Sequence, residues 1–151
     1  MTAKEYLQQL EVRKCAVECK QEMVQEYRDK AMNTTATLQE IKVQTSHSRR
    51  SDVEDMSVKA ADMIQAIEAD TMKYYDFQHM VINQIQELSN KHYIQLLFKV
   101  YVQFKSVKIA ASEMGMSYQY VRDLHKKALK AFEKIHADVL KGKGKANADG
   151  A

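Results

Sequence analysis

From residue 1 to about residue 140 the chain has no proline and a single glycine, Gly115. Proline and glycine interrupt helices most strongly, and the rest of this stretch is rich in Ala, Gln, Glu, Lys, Leu and Met, which favour helix. The sequence therefore predicts an all-α fold. The other three glycines lie in the last ten residues. There the small, polar composition of residues 141–151 predicts a disordered tail.

The first long helix is predicted to begin at Thr2, which forms a capping box with Glu5, and to run to about Asn33. Apolar residues recur in it every seven residues, which is typical of a helix that packs along a partner helix. These residues are Leu10, Val17, Val24 and Ala31. At the companion positions of this repeat, Tyr6 and Tyr27 fit, whereas Arg13 and Lys20 do not.

A second capping box, Ser51 with Glu54, predicts another long helix that ends near Leu88. Its apolar face is interrupted by Asp70 and Gln84. We predict that residues 1–88 form a coiled-coil-like antiparallel hairpin for interaction or oligomerisation, with pairing between two chains as the alternative. The Thr- and Ser-rich segment 33–51 predicts the connecting loop. Arg49 and Arg50 in that loop can reach phosphate, but an exposed connector is the favoured interpretation.

Charge is distributed unevenly along the chain. Residues 1–88 hold 11 Lys and Arg against 15 Asp and Glu, whereas residues 89–145 hold 12 against 4. A small helical unit with this excess of positive charge most often binds nucleic acid. A solvated basic face is the alternative, and charge alone does not separate the two.

The segment 106–129, SVKIAASEMGMSYQYVRDLHKKAL, has the layout of a helix-turn-helix. A short helix is expected over 107–114, with Ser106 able to cap it, and Gly115 can supply the left-handed turn. Ser117 can cap a second helix. We predict that a third element over 91–102 precedes this motif and that the last helix continues to about Leu140. Residues 89–140 would then form a DNA-binding domain with the second helix, about 117–130, in the major groove.

The second helix should direct Val121, Leu124 and Ala128 inward and a polar, basic face outward. Arg122 can bond guanine through two donors, and Gln119 can do the same with adenine. Asp123 can accept from cytosine or orient Arg122, and Tyr118 can contact a thymine methyl group or a phosphate. Phosphate neutralisation suits the lysines, which are Lys126, Lys127 and Lys130.

Over about 88–137 the chain resembles region 4 of bacterial sigma factors. The residues that carry this resemblance are Leu96-Leu97, Tyr101, Ser106-Val107, Ala111, Met114 to Ser117, Val121-Arg122 and Lys127 to Leu129. The chain resembles more closely the sigma-like ArpU/RinA-like late transcription regulators of phages and prophages. The resemblance implies DNA contacts from Tyr118, Gln119, Arg122, Asp123 and Lys126. It also implies that Ser117 caps the recognition helix beside a phosphate, and that Ser106 and Lys108 meet the DNA backbone.

The chain departs from the sigma pattern in the first helix of the motif. Ala110 stands where isoleucine or valine is usual, and Ile109 stands where a polar residue is usual. Either that helix is slightly rotated, or Ile109 packs elsewhere. Tyr118 and Tyr120 replace residues that are often basic, so the bases read by sigma factors cannot be transferred to this chain. No segment resembles the promoter-melting domain of a sigma factor.

Several classes of function have little support in the sequence. No nucleophile–base motif or phosphate-cradling glycine loop points to an enzyme or a cofactor. Cys15 and Cys19 lack two further zinc ligands at suitable spacing, so no metal site is expected. With no signal peptide and no membrane-spanning apolar run, we expect a soluble protein in the cytoplasm of a bacterial host.

The leading hypothesis is a sequence-specific transcription regulator of phage or prophage genes. Its partners would be double-stranded DNA and, through the hairpin, RNA polymerase or a second copy in a homodimer. One alternative is a DNA-packaging subunit similar to a small terminase. Another is a helical interaction protein without DNA binding. The sequence leaves open the operator, activation or repression, and the oligomeric state.

Overall fold

A computed structural model describes the backbone of residues 1–40 and 47–142, and the side chains in these ranges except at 31, 33–40, 47–53 and 56. These ranges contain helices and no strand, which confirms the all-α prediction. The elements are α1 (Ala3–Glu40), α2 (His47–Gln86), α3 (Lys91–Leu97), a π-helical segment (Phe98–Val102), α4 (Val107–Met114), α5 (Tyr118–Ile135) and α6 (Ala137–Leu140). The predicted tail falls mainly on residues 143–151, which lie outside the described residues.

Helix α1 begins as the capping box predicts. The Thr2 backbone N–H donates to Glu5 Oε2 at 2.8 Å, and the Glu5 N–H donates to Thr2 Oγ1 at 3.2 Å. The bond from the Thr2 amide holds the pKa of the Glu5 carboxyl below its usual range.

The loop predicted over 33–51 is wrong at both ends, because α1 continues to Glu40 and α2 already begins at His47. Serine and threonine are only weakly unfavourable inside a helix, so a few of them do not end a long one. Only 41–46 of the predicted loop lie outside the described backbone, and the side chains of Arg49 and Arg50 also fall outside the description.

The chain divides into two compact units. Unit 1 comprises Met1–Arg13 and Tyr75–Ala151, and unit 2 comprises Lys14–Tyr74. This division does not follow the predicted boundary between residues 88 and 89, since the first turns of α1 and the last turns of α2 belong with the C-terminal helices.

Unit 1 holds the main core. Its largest fully buried side chains are Phe132, Leu7, Leu10, Ile85, Leu96, Leu97, Val81 and Val121. Tyr6 connects α1 to α2 within this core: its hydroxyl donates to Gln84 Oε1 at 2.9 Å, and its ring lies edge-on to Phe77 at 5.9 Å. Gln84, which interrupts the apolar pattern of the sequence, is therefore buried with a hydrogen-bond partner.

Helices α3 and α4 are connected by an irregular passage. Asn90 Oδ1 caps α3 by accepting from the His92 N–H at 2.9 Å. The segment predicted as one helix over 91–102 then widens into the π-helical segment after Leu97. Phe104 follows with φ of 56°, the only positive φ at a non-glycine residue among those described. A bulky side chain rarely adopts this conformation, so the surrounding contacts must hold it.

The last predicted helix is interrupted at His136, where α5 ends and the short α6 begins. The His136 side chain is buried, and its Nε2–H donates to the Gln84 backbone carbonyl at 2.9 Å. The prediction of one helix continuing to Leu140 is therefore wrong, and the residue at the break bonds to a residue far away in sequence.

Unit 2 consists of the remaining parts of α1 and α2. Lys20 Nζ donates to Asp70 Oδ2, and this bond lowers the pKa of the Asp70 carboxyl. Lys20 and Asp70, each of which interrupts the apolar pattern of its own helix, thus pair with each other. Across the described part of the chain, no helix combines the length and apolarity needed to cross a membrane.

Candidate nucleic-acid interface

Helices α4 and α5 are joined by residues 115–117, and each local feature predicted for this connection is present. Ser106 Oγ accepts from the Ile109 N–H at 3.2 Å and so caps α4. Gly115 has φ of 67° and ends α4, while the Met116 N–H donates to the Ala111 carbonyl at 3.0 Å. Ser117 Oγ accepts from the Tyr120 N–H at 3.3 Å and caps α5.

Position 115 requires glycine because of its left-handed backbone conformation, and not because neighbouring atoms leave too little space for a side chain. A Cβ added there would meet no atom within 4 Å, but the left-handed φ is unfavourable for a residue with a side chain. The turn therefore fixes the directions of α4 and α5 through its own conformation.

The inward face of α5 is the predicted one. Val121 and Ala128 are fully buried and Leu124 nearly so. Val121 and Leu124 share a cluster with Leu96 of α3 and with Ala110 and Ala111 of α4. Because α3 and α4 pack on this side, the opposite side of α5 is left to solvent.

All ten residues predicted to meet DNA are exposed: Ser106, Lys108, Ser117, Tyr118, Gln119, Arg122, Asp123, Lys126, Lys127 and Lys130. At 100° per residue, the seven on α5 fall within one half of its circumference, opposite the buried residues. Ser117 lies at the N-terminus of the same helix, whereas Ser106 and Lys108 lie at the start of α4. The structure thus brings the α5 residues onto one face.

This face carries net positive charge. Arg122, Lys126, Lys127, Lys130 and Lys134 fall on this half of α5, against the two acids Asp123 and Glu133. Among the described side chains, none of Arg122, Lys126, Lys127 and Lys130 forms an ion pair. Their charges are therefore available to an anion from outside the chain.

Two nearby lysines are used differently. Lys99 Nζ lies 2.8 Å from Glu113 Oε2, and Lys105 Nζ lies 2.7 Å from Glu113 Oε1. The two ammonium groups lower the pKa of the Glu113 carboxyl. They connect the π-helical segment and the residues after it to α4. This role of Glu113 could not be predicted, since nothing in the sequence spacing distinguishes it from any exposed acid.

The Ile109–Ala110 departure has a clear structural outcome. Ala110 is fully buried, so α4 is not rotated to bury its neighbour, and Ile109 remains 52% exposed. Neither of the two explanations offered by the sequence applies. The small alanine fills the inward position, and an apolar side chain is left on the outer surface of α4.

Tyr101 and the α5 residue His125 form a polar pair that was not predicted from the sequence. Tyr101 is buried, and its hydroxyl lies 2.9 Å from His125 Nε2. The two rings stack with their centroids 5.7 Å apart. Burial raises the pKa of Tyr101 to about 12. It also lowers the pKa of His125, with the positive charge of Lys4 as a further cause. The available signal was the position of His125 at the edge of the inward face, four residues after Val121.

Among the described residues, no group of three or more His, Cys, Asp or Glu side chains that could hold a metal ion comes together, and Cys15 and Cys19 are exposed free thiols. Comparisons with protein-family models, with curated proteins and with solved structures found no match to this chain.

Proposed function

We propose that this protein is a non-enzymatic, sequence-specific DNA-binding regulator of transcription, and that α5 enters the major groove of double-stranded DNA. The observation that carries the proposal is the outer face of α5: long polar and basic side chains, without ion pairs among the described residues, on a helix whose other face is buried. A rigid helix with such a face is what base reading in the major groove requires.

The side chains near the start of α5 have the chemistry to read bases. Arg122 suits guanine because its planar fork donates twice to O6 and N7, and Gln119 can pair similarly with adenine. Tyr118, one turn before Arg122, offers a ring for a thymine methyl group. Asp123 lies beside Arg122 in sequence, where it can orient the guanidinium or accept from cytosine.

Other groups suit the phosphate backbone. Lys126, Lys127 and Lys130 extend the positive face toward the C-terminal half of α5, and Lys108 adds a cation on α4. Ser117 lies where α5 exposes its first backbone N–H groups, which favour a phosphate. Ser106 has the same position on α4. These contacts would set orientation and salt dependence, with little discrimination among sequences.

The wider assignment combines this surface with the resemblance in sequence. We propose that unit 1 acts as a promoter-reading domain similar to sigma region 4, in a cytoplasmic regulator of phage or prophage genes. The hairpin predicted for residues 1–88 would serve self-association or contact with RNA polymerase. The charge asymmetry supports this division of labour, because the acidic excess lies in residues 1–88 and the basic excess beyond them.

The Arg122→Ala variant tests the base-reading role. We expect binding to DNA from the protein's own promoter region to weaken by about 1–3 kcal/mol, as for the loss of a bidentate base contact. Fluorescence anisotropy with labelled duplexes would measure this, with a scrambled duplex as competitor. Arg28→Ala is the matched control, since it removes an exposed arginine from unit 2.

The pattern of loss separates the roles. Arg122→Ala should reduce specific binding more than non-specific binding, whereas Lys127→Ala should weaken both and lower the salt slope by about 1. If the wild-type protein binds no duplex even at low salt, the proposal is wrong. Equal losses from Arg122→Ala and Arg28→Ala would remove Arg122 from the interface.

A further inference from the structure

Unit 1 contains a cleft that the proposed DNA contacts do not explain. It has a volume of about 410 Å³ and lies between the start of α1 and the passage that joins the π-helical segment to α4, with His125 of α5 also on its wall. All the residues that line it belong to unit 1, and only Ser106 among them is also proposed to meet DNA. Small-molecule sites in proteins commonly have volumes of roughly 300–1,000 Å³. The cleft therefore has the size of a ligand site.

Apolar side chains from three elements line the cleft. Leu7 of α1 is fully buried, whereas Val100 of the π-helical segment and Val107 of α4 are half-buried. The two valines thus retain apolar surface that a ligand can cover, and removing this surface from water favours binding. The cleft suits a ligand that has an apolar body.

The wall on the side of α4 has an unusual backbone. The π-helical segment and Phe104, with its left-handed φ, both contribute residues to the cleft. Segments of π-helix and residues in strained conformations occur frequently at functional sites. The ion pairs of Lys99 and Lys105 with Glu113 attach this wall to α4. The wall is therefore formed by contacts within the chain and does not need a ligand to shape it.

The charges at one end of the cleft favour an anion. Lys4 is exposed, and among the described side chains it forms no ion pair. Burial and then the positive charge of Lys4 lower the pKa of His125, so the ammonium group and the imidazole ring lie at the same end. The other lysine of the cleft, Lys105, is already paired with Glu113. Lys4 is thus the cation of the cleft that a ligand can pair with.

Two further side chains limit the charge of the ligand. Ser106 Oγ accepts from the Ile109 N–H, so its own O–H can donate to an anion. Glu11 lines the cleft two helical turns after Lys4, about 10 Å along α1, and its carboxylate would repel a second negative charge. One unpaired cation and one repelling carboxylate suit a monoanion better than a phosphate, which carries more charge.

We propose that this cleft binds a small monocarboxylate with an apolar body. The carboxylate would lie beside Lys4 and His125, and the apolar body would cover Val100 and Val107. Such a ligand would contact the start of α4 and one side of α5 together. The proposal is independent of the base-reading residues Gln119 and Arg122, so it can be tested without DNA. Its failure would leave the proposed DNA binding intact.

Titrations with hexanoate and phenylacetate, each compared with its neutral amide, test the class of ligand. Proton–nitrogen correlation NMR spectra of the full chain would follow the backbone amides. We expect each carboxylate to bind at least about ten-fold more tightly than its amide, because only the carboxylate makes a charge-assisted bond to Lys4. Dissociation constants on the order of 1 mM are expected for ligands of so few atoms. The largest shifts should occur at 4–11, at 100–107 and at His125.

The Lys4→Gln variant tests the contact with the anion. It removes the charge of an exposed side chain, so we expect an unchanged fold. Binding of both carboxylates should weaken by about ten-fold or more, while binding of the amides should not change. Lys91→Gln is the matched control, because Lys91 is an exposed lysine of unit 1 that does not line the cleft. Equal losses from Lys4→Gln and Lys91→Gln would overturn the proposal.

The Gln8→Trp variant tests the location. Gln8 is an exposed residue that lines the cleft, so a larger side chain there should occupy the space of the ligand and weaken binding of carboxylates and amides alike. Gln95→Trp makes the same exchange at an exposed residue of α3 outside the cleft and should have no effect. Unchanged binding by Gln8→Trp would place the ligand elsewhere and overturn the proposal.

Two further results would also overturn it. One is binding of the amides as tightly as the carboxylates, which would mean that Lys4 does not recognise the charge. The other is binding of inorganic phosphate at the same residues as tightly as phenylacetate, which would mean that the apolar surface contributes nothing.

Discussion

Units 1 and 2 share the helices α1 and α2, yet they bury very different amounts of apolar surface. The eight largest fully buried side chains all belong to unit 1, where α3 and α5 surround the helix ends. In unit 2 each of these two helices has only the other to pack against. Among the described side chains of this unit, only Val24 and Tyr74 are buried. Helix length therefore does not determine where this protein is stable, whereas the number of neighbouring helices does.

The largest difference should appear on truncating one core residue in each unit. Phe132→Ala removes a fully buried ring. The centroid of this ring lies 6.1 Å from that of the Tyr6 ring and 4.5 Å from that of the His136 ring. The substitution should destabilise unit 1 by about 3–5 kcal/mol. Val24→Ala removes two carbon atoms from a thinner interior and should cost unit 2 about 1–2 kcal/mol.

Amide hydrogen exchange can assign each loss to its unit. Phe132→Ala should accelerate exchange in α3 and α5, and Val24→Ala should accelerate it only within residues 14–74. If both variants accelerate exchange to the same extent throughout the chain, the two units unfold as one and the comparison fails.

A smaller effect should follow from the hydrogen bond that joins α1 to α2 in unit 1. Tyr6→Phe leaves Gln84 Oε1 without its donor in a buried position, and we expect a loss of about 1–2 kcal/mol in unfolding free energy. Urea denaturation of the full chain would measure it. Tyr120→Phe, at an exposed tyrosine of the same unit, is the control and should change stability by less than about 0.5 kcal/mol. Similar losses from both variants would contradict a role for the Tyr6–Gln84 bond.

The features predicted correctly from the sequence are local ones. The bonds of the Thr2–Glu5 capping box and the caps at Ser106 and Ser117 form between residues three apart, so the sequence nearby contains all the information they need. The inward and outward faces of α5 follow from helical periodicity in the same way. Exposure of the candidate DNA-binding residues could thus be predicted, although their function remains a proposal.

The features that could not be predicted depend on residues far apart in sequence. At the break between α5 and α6, the His136 side chain bonds to the distant Gln84, and the Tyr101–His125 pair joins the π-helical segment to α5. Nothing about a phenylalanine side chain predicts the left-handed backbone conformation of Phe104. Conversely, the local propensity of the Thr- and Ser-rich stretch predicts a loop, whereas the cooperativity of a long helix extends α1 to Glu40.

The smallest predicted effect concerns pH and again belongs to unit 1. Burial lowers the pKa of His125 in the folded protein below its ordinary value of 6.5, so the folded state resists the proton that the unfolded chain accepts. The contribution of His125 to the stability of unit 1 should therefore be constant well above pH 6.5. It should fall as the pH drops from about 6.5 toward the folded pKa, and level off below that value.

Urea denaturation of wild type and His125→Gln at pH 7.5 and pH 5 isolates this contribution, because carboxyl groups elsewhere are common to both proteins. Glutamine can still bond the Tyr101 hydroxyl, so the variant should remain folded, and its stability should depend less on pH than that of wild type. The same pH dependence in both proteins would show that the proton is taken up elsewhere. Hydrogen exchange should place the loss in α5 and its neighbours, since the His125 ring stacks on Tyr101 within unit 1. A loss confined to residues 14–74 would instead mean that the sparsely packed unit determines the acid sensitivity of the whole chain.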